Sequence, residues 1–170
     1  MICEFDTVTI NSPVTTDNYL WEPNVNISNN TTESPEFSPL VTSNYFFTGT
    51  NSFGCSIKDT FQLTVNNVPL VSAGTDQDVC IGDSITLNSS GNAASFTWDN
   101  SVIDGQIFEV NNTINYVLTG TSLDGCINTD TVLITALTSP STDAGNDINL
   151  CVNDSTQLQA SGADNYLWSP

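Results

Sequence analysis

Short apolar–polar alternations, each about four to eight residues long and separated by turn residues, make up most of this chain. The stretch from Leu70 to Leu137 has the fullest set. Leu70–Ala73 forms one apolar run, and Gln77–Cys80 continues it past a bend at Gly74. Ser84-Ile85-Thr86-Leu87-Asn88 places Ile85 and Leu87 on one face, and Ala94–Trp98 is a third run. Gln106–Val110 and Ile114–Thr119 flank an Asn-Asn turn, and Asp130–Leu137 sets Val132, Ile134 and Ala136 against Thr131 and Thr135. No helical period competes. Short strands with frequent turn signals predict an all-β fold built from Ig-like β-sandwiches.

The same pattern recurs along the chain. Cys3, Cys80 and Cys151 lead successive copies, and the interval from Cys80 to Cys151 equals that from Cys55 to Cys126. Trp21 and Trp98 follow Cys3 and Cys80 at an identical offset, and Trp168 follows Cys151 one position closer. Asn44-Tyr45…Thr48-Gly49-Thr50…Gly54-Cys55 returns as Asn115-Tyr116…Thr119-Gly120-Thr121…Gly125-Cys126. Asp17–Pro23 returns as Asp164–Pro170 with one substitution, Glu22 becoming Ser169. Locked offsets of this kind define a tandem repeat. The expected units are residues 1–69, lacking a first strand; 70–140, complete; and 141–170, the start of a third, as if taken from a longer array. Proline in each junction, at Pro69 and Pro140, stiffens the link. In the first unit Val8, Ile10, Tyr45, Phe47, Phe61, Leu63 and Val65 hold the matching core positions. Each Trp is expected at the centre of a core, the alternative being a catalytic or sugar-stacking role.

Modules of this size bury little surface and call for a staple. One cysteine follows the first strand region of each unit and the next opens its last strand. The expected pairs are Cys3–Cys55 and Cys80–Cys126, with the partner of Cys151 lying beyond residue 170. Zinc is disfavoured, since the chain has no His and no closely spaced cysteine pair. Disulfides imply an oxidising, extracellular setting.

Charge narrows the function classes. One basic residue against 19 acidic ones gives a formal net charge of -18. Such a chain repels nucleic acid, whose binding depends on basic side chains displacing phosphate counterions. No apolar run reaches the roughly 20 residues of a membrane span, and the N-terminus has no signal-peptide pattern. An enzyme would have to work with carboxylates alone. The aspartates lie in turns and recur with the repeat, as scaffold residues do, so the chain reads as non-enzymatic. Asp76, Asp83, Asp99, Asp104 and Asp124 are hard oxygen ligands that could hold calcium in loops, the plainer reading being a solvated acidic surface. No other cofactor is expected.

Ala73-Gly74-Thr75-Asp76…Cys80, Asp83-Ser84, Phe96-Thr97-Trp98 and Tyr116…Gly120-Thr121…Gly125-Cys126 resemble the Ig-like, PKD-like repeats of giant Bacteroidota surface proteins. The nearest functional likeness is to gliding-motility adhesins of the SprB type, substrates of the type IX secretion system. That resemblance implies a segment of a long cell-surface filament with an adhesive or structural role. Its expected partners are neighbouring repeats, extracellular polysaccharide or another surface, and the outer-membrane export and motility machinery. It also implies O-glycosylation of Asp-Ser/Thr tripeptides at Thr7, Ser84, Thr131 and Ser155, with Thr60 a poorer match. Without a glycan, the same tripeptides serve to end a turn and start a strand. The competing function is a carbohydrate-binding or spacer module of a secreted protein, in which Tyr19 and Tyr166 would stack on sugar.

Overall fold

The computed structural model describes residues 1–169, and among these there is no helix. The N-terminal strands are β1 (Ile2–Cys3), β2 (Val8–Thr9), β3 (Asn18–Glu22), β4 (Glu36–Phe37), β5 (Ser43–Thr50), β6 (Ser56–Leu63) and β7 (Val65–Asn66). The second set is β8 (Val71–Ser72), β9 (Gln77–Cys80), β10 (Ser84–Thr86), β11 (Ser90–Gly91), β12 (Ser95–Trp98), β13 (Ile107–Glu109), β14 (Ile114–Thr121) and β15 (Ile127–Leu137). Every alternating run identified between Leu70 and Leu137 contains a strand. The added element is the two-residue β11, too short to carry a period.

The second set is a two-sheet sandwich. One layer pairs β8 with β11 and β10 with β13; the other has the order β12-β14-β15-β9. The first strand region divides between the layers. β8 pairs antiparallel with β11, the chain bends at Gly74, and β9 joins β15 in parallel, with Cys80 beside Leu137. Gly74 has a φ of 90°, which a side chain would strain. Strands β8, β11, β10 and β13 facing the sheet β12-β14-β15-β9 form the arrangement of an Ig-like sandwich. The first set repeats it: β2 pairs with β4, β3-β5-β6 form the opposite sheet, and β1 runs parallel to β7. The protein is thus all-β, with Ig-like sandwiches in tandem.

Each sandwich encloses its own core. Trp21, Phe37, Tyr45, Phe47 and Leu63 form the first, and Ala73, Leu87, Trp98, Val110, Tyr116, Leu118, Val132 and Ile134 the second. The first is largely aromatic: Phe37 meets Trp21, Tyr45 and Phe61 edge-on at centroid distances of 5.6, 4.8 and 5.6 Å. Such edge-to-face contacts add to the burial of apolar area. Trp21 and Trp98 are 1% and 8% exposed, as a central core role requires. Their indole N–H groups are also satisfied, Trp21 donating to the carbonyl of Thr32 and Trp98 to Asp104, both at 2.9 Å.

Past residue 140 two local features of the earlier units recur. Asp143 bridges Ser161 just as Ser72 pairs with Ser90, the equivalent positions of the preceding repeat. Tyr166 accepts a hydrogen bond from the Ala163 N–H, as Tyr19 does from Thr16. Trp168, however, is 48% exposed. In the second sandwich the equivalent Trp is covered by β14 and β15, strands that come after it in sequence.

Candidate functional site: the junction between modules

The expected cysteine pairing is overturned. Among the described residues the one disulfide joins Cys3 to Cys126, with a Cα–Cα distance of 5.6 Å, and Cys55, Cys80 and Cys151 are exposed free thiols. Neither Cys3–Cys55 nor Cys80–Cys126 forms. The reason is strand length. Cys126 lies at the tip of the β14–β15 hairpin, and Cys80 lies beside Leu137 at the far end of β15. Eleven residues of extended chain separate those ends by about 36 Å, whereas a disulfide requires Cα atoms within about 7 Å. Cys55 and Cys3 are separated in the same way, because Cys3 pairs beside Asn66 and Cys55 opens β6.

The bond that does form crosses from one sandwich to the next. β1 runs parallel to the last strand of the first sandwich and ends at the edge facing the linker. The β14–β15 hairpin of the second sandwich points back toward that edge. Cys126 is fully buried there, its Sγ 3.7 Å from the Asn66 carbonyl oxygen. Asn128 Nδ2 donates to the Pro69 carbonyl at 2.9 Å, and the Leu70 N–H donates to Asn92 Oδ1 at 2.6 Å. The linker is therefore held by a covalent bond and by hydrogen bonds to the second sandwich. A shallow cleft of about 500 Å³ at this junction is lined in part by Phe5 and Ile127. Phe5 is 70% exposed and has a φ of 72°, uncommon for a bulky residue.

The hairpin tip has its own chemistry. In the second sandwich the Ser122 hydroxyl accepts the Cys126 N–H at 3.0 Å. At the equivalent tip of the first, Asn51 Oδ1 accepts the N–H groups of both Phe53 and Cys55. Both caps hold the cysteine at the start of the return strand.

The five aspartates proposed for calcium are not brought together: no group of three or more His, Cys, Asp or Glu poised for a metal occurs among the described residues. Three of the five carboxylates act as acceptors that fasten loops to strands. Asp76 Oδ1 takes the Leu133 N–H at 2.8 Å and Asp99 Oδ1 the Val117 N–H at 2.9 Å. Asp104 accepts three donors, the Trp98 indole, the Ser89 N–H and the Ser89 hydroxyl. The Trp98 bond, aided by Ser89, holds the Asp104 carboxyl below the usual carboxylate range. Asp130 is lowered likewise by the N–H groups of Ala73 and Thr131. Burial raises the Tyr45 and Tyr116 hydroxyls, with the charge of Asp99 adding to the effect at Tyr116.

The remaining sequence candidates divide. Thr7, Ser84, Thr131 and Ser155 are all exposed. Tyr19 is half-buried against the first core, its ring centroid 6.3 Å from that of Phe47 and its hydroxyl engaged by Thr16. Tyr166 is more open.

No protein-family model matches this chain, and no curated protein matches it. Among solved structures, it is similar to hemolin, an insect immune protein described with a domain arrangement bearing on homophilic adhesion. That match has 18% identity over 81% of this chain and 44% of hemolin, with a TM-score of 0.39. It is also similar to a chimeric titin Z1Z2 tandem, at 17% identity over 80% of this chain and 93% of the tandem, TM-score 0.35. A Bacteroides ovatus glucan-utilisation protein, SGBP-B, solved with a mixed-linkage heptasaccharide, matches at 16% identity over 84% of this chain and 44% of its own, TM-score 0.23. The chain spans less than half the length of hemolin and of SGBP-B. The sandwich assignment rests on strand order and on the two cores, not on these distant likenesses.

Proposed function

We propose that this chain is a non-catalytic segment of an extracellular, cell-surface filament built from tandem Ig-like repeats, acting in surface attachment or gliding motility. The observation that carries the reading is the covalent bond between successive sandwiches, Cys3–Cys126. A disulfide between modules resists pulling along the chain and belongs in an oxidising compartment. The reading divides the chain at residues 1–69 and 70–140, with a third repeat beginning at 141. Each module contributes about 36 Å of length, from the rise along β15. A net charge of -18 with a single basic residue keeps neighbouring filaments apart at low salt. The resemblance to SprB-type adhesins supplies the export route, type IX secretion, and the motility partners.

Within this reading the spacer role is favoured over sugar binding by this segment. Tyr19, one of the two aromatics offered for stacking, is already engaged by Thr16 and Phe47. The exposed hydroxyls of Thr7, Ser84, Thr131 and Ser155 remain proposed glycan attachment points, and intact mass of the secreted chain from its producing cells tests them. Antibody fragments raised against the folded chain should label intact producing cells and reduce their attachment or movement. Labelling only after cell lysis would overturn the surface assignment. Binding of the isolated chain to a glycan array would shift the role from spacer to sugar recognition.

A further inference from the structure

The Cys3–Cys126 bond has a repeat-related counterpart that is left open. Cys80 corresponds to Cys3, and the three leading cysteines sit in one local turn. The Asp6 N–H donates to the Cys3 carbonyl at 3.1 Å, Asp83 to Cys80 at 3.0 Å, and Asp154 to Cys151 at 3.0 Å. Cys3 pairs beside Asn66 and Cys80 beside Leu137, equivalent positions in the strands that close their repeats. From these pairing positions the chain runs equal distances to Leu70 and Ser141. There the next unit starts in the same way: a Cβ on Gly91 would lie 2.0 Å from the Leu70 carbonyl oxygen, and one on Gly162 would lie 1.9 Å from that of Ser141. The two junctions therefore have one design. At the first, the leading cysteine is bonded to the hairpin cysteine of the following sandwich; at the second, Cys80 is an exposed thiol at the corresponding rim.

We infer that the cysteines form a ladder between modules: the leading cysteine of each repeat bonds to the hairpin cysteine of the next, and never to its own. Cys80 is then the docking thiol for the hairpin cysteine of a complete module following residue 140. Cys151 does the same for the module after that, and Cys55 receives the leading cysteine of a module preceding this one. Each rung forms by exchange with a small-molecule disulfide such as oxidised glutathione. One thiolate attacks it, releasing one glutathione thiol; the partner thiolate then displaces the second, so two protein thiols lose two protons and two electrons and the oxidant leaves as two thiols. Each sandwich interior carries no disulfide, and each linker is closed by one. This inference rests on the chain being a segment of a repeat array, but its readout is bond connectivity and does not depend on cell-surface location or adhesion.

The test extends the whole chain with a second copy of its residues 101–140 after Pro170, carrying Ile127→Val in the added copy alone so that its hairpin peptide differs in mass from that of Cys126; the extension completes the third repeat and supplies a new hairpin cysteine. The protein is oxidised with a glutathione mixture and mapped by mass spectrometry without reduction. The expected linked peptides are Cys3 with Cys126, and Cys80 with the hairpin cysteine of the added copy, leaving Cys55 and Cys151 open to alkylation. Cys80 joined to Cys126, or Cys80 still alkylated in a chain that forms the Cys3–Cys126 bond, overturns the ladder, and so does Cys80 joined to Cys55 of a second chain. Should the extension not fold, the original chain decides alone. It should have reactive Cys55, Cys80 and Cys151, with Cys126→Ser exposing Cys3 and leaving Cys80 unchanged; a single reactive thiol, Cys151, refutes the ladder.

Discussion

Asp104 offers the most direct measure of how the acidic loops hold the second sandwich together. Its carboxylate takes the indole N–H of buried Trp98 at 2.9 Å and the N–H and hydroxyl of Ser89 at 2.6 and 3.0 Å. Asp104→Ala leaves the indole N–H without its acceptor in a poorly hydrated position, a loss of about 1–3 kcal/mol. The Ser89 groups are solvent-accessible and add about 0.5–1 kcal/mol. The sum is roughly 1.5–4 kcal/mol at pH 7, whereas Asp104→Asn, which keeps an acceptor oxygen, should lose only about 1 kcal/mol through the missing charge. The pH dependence has a definite sign. The folded carboxyl is lowered, so its stabilisation is fully present above the unfolded-state value near 4 and is lost as pH falls through the folded value. The gap between wild type and Asp104→Asn should therefore be widest at pH 6–7 and narrow as pH falls below the unfolded-state value and through the lowered folded one. Urea denaturation followed by circular dichroism, with the Trp98 indole N–H resonance as a local probe, measures both. A loss below about 0.5 kcal/mol for Asp104→Ala, the floor for a single net hydrogen bond, would refute the assignment of Asp104 as the Trp98 anchor. A gap that stays constant or widens as pH falls below the unfolded-state value would refute it equally.

Cys126→Ser opens a link with a sequence separation of 123; the chain-entropy ceiling for such a loop is about 5 kcal/mol, so calorimetry should record a lower melting temperature, and dithiothreitol should bring wild type to the same value. Gly120→Val should destabilise by about 1–3 kcal/mol by overpacking, because a Cβ there would lie 2.5 Å from Val71 Cγ2 and 3.0 Å from the Ala93 Cβ; an unchanged denaturation midpoint would contradict that packing. Phe37→Ala removes the fully buried ring at the centre of the first core and should lose about 3–5 kcal/mol in the same urea titration. Phe53→Ser, at a position 90% exposed, should leave stability within about 0.5 kcal/mol by that measurement.

The architecture was legible because sandwich strands impose a period of two, and each buried face carried its apolar set: Tyr45 and Phe47, Tyr116 and Leu118, Val132 and Ile134. Trp21 and Trp98 could be placed for a related reason, since a large ring at a fixed offset in a strand of a small sandwich has room only at the centre of its core. The role of the aspartates was not legible. Whether a loop carboxylate binds a cation or caps a backbone N–H depends on which strand passes beside it. Asp76 and Leu133, which meet at 2.8 Å, are far apart in sequence.

The cysteines were misassigned for a reason that the sequence itself contained. Sequence proximity and module size favoured closing each sandwich upon itself. Loop entropy changes slowly with length, and the rigid distance between the two ends of the sandwich decides the matter. The uninterrupted strand that runs from beside Cys126 to Leu137, with Cys80 at its far end, places the two thiols at opposite poles. A leading cysteine at the exit pole and a hairpin cysteine at the entry pole cannot meet within one sandwich. They can meet across a linker as short as Asn67-Val68-Pro69, because the exit pole of one sandwich faces the entry pole of the next. Strand length thus converts a pair of cysteines per repeat from an internal staple into a coupling between repeats.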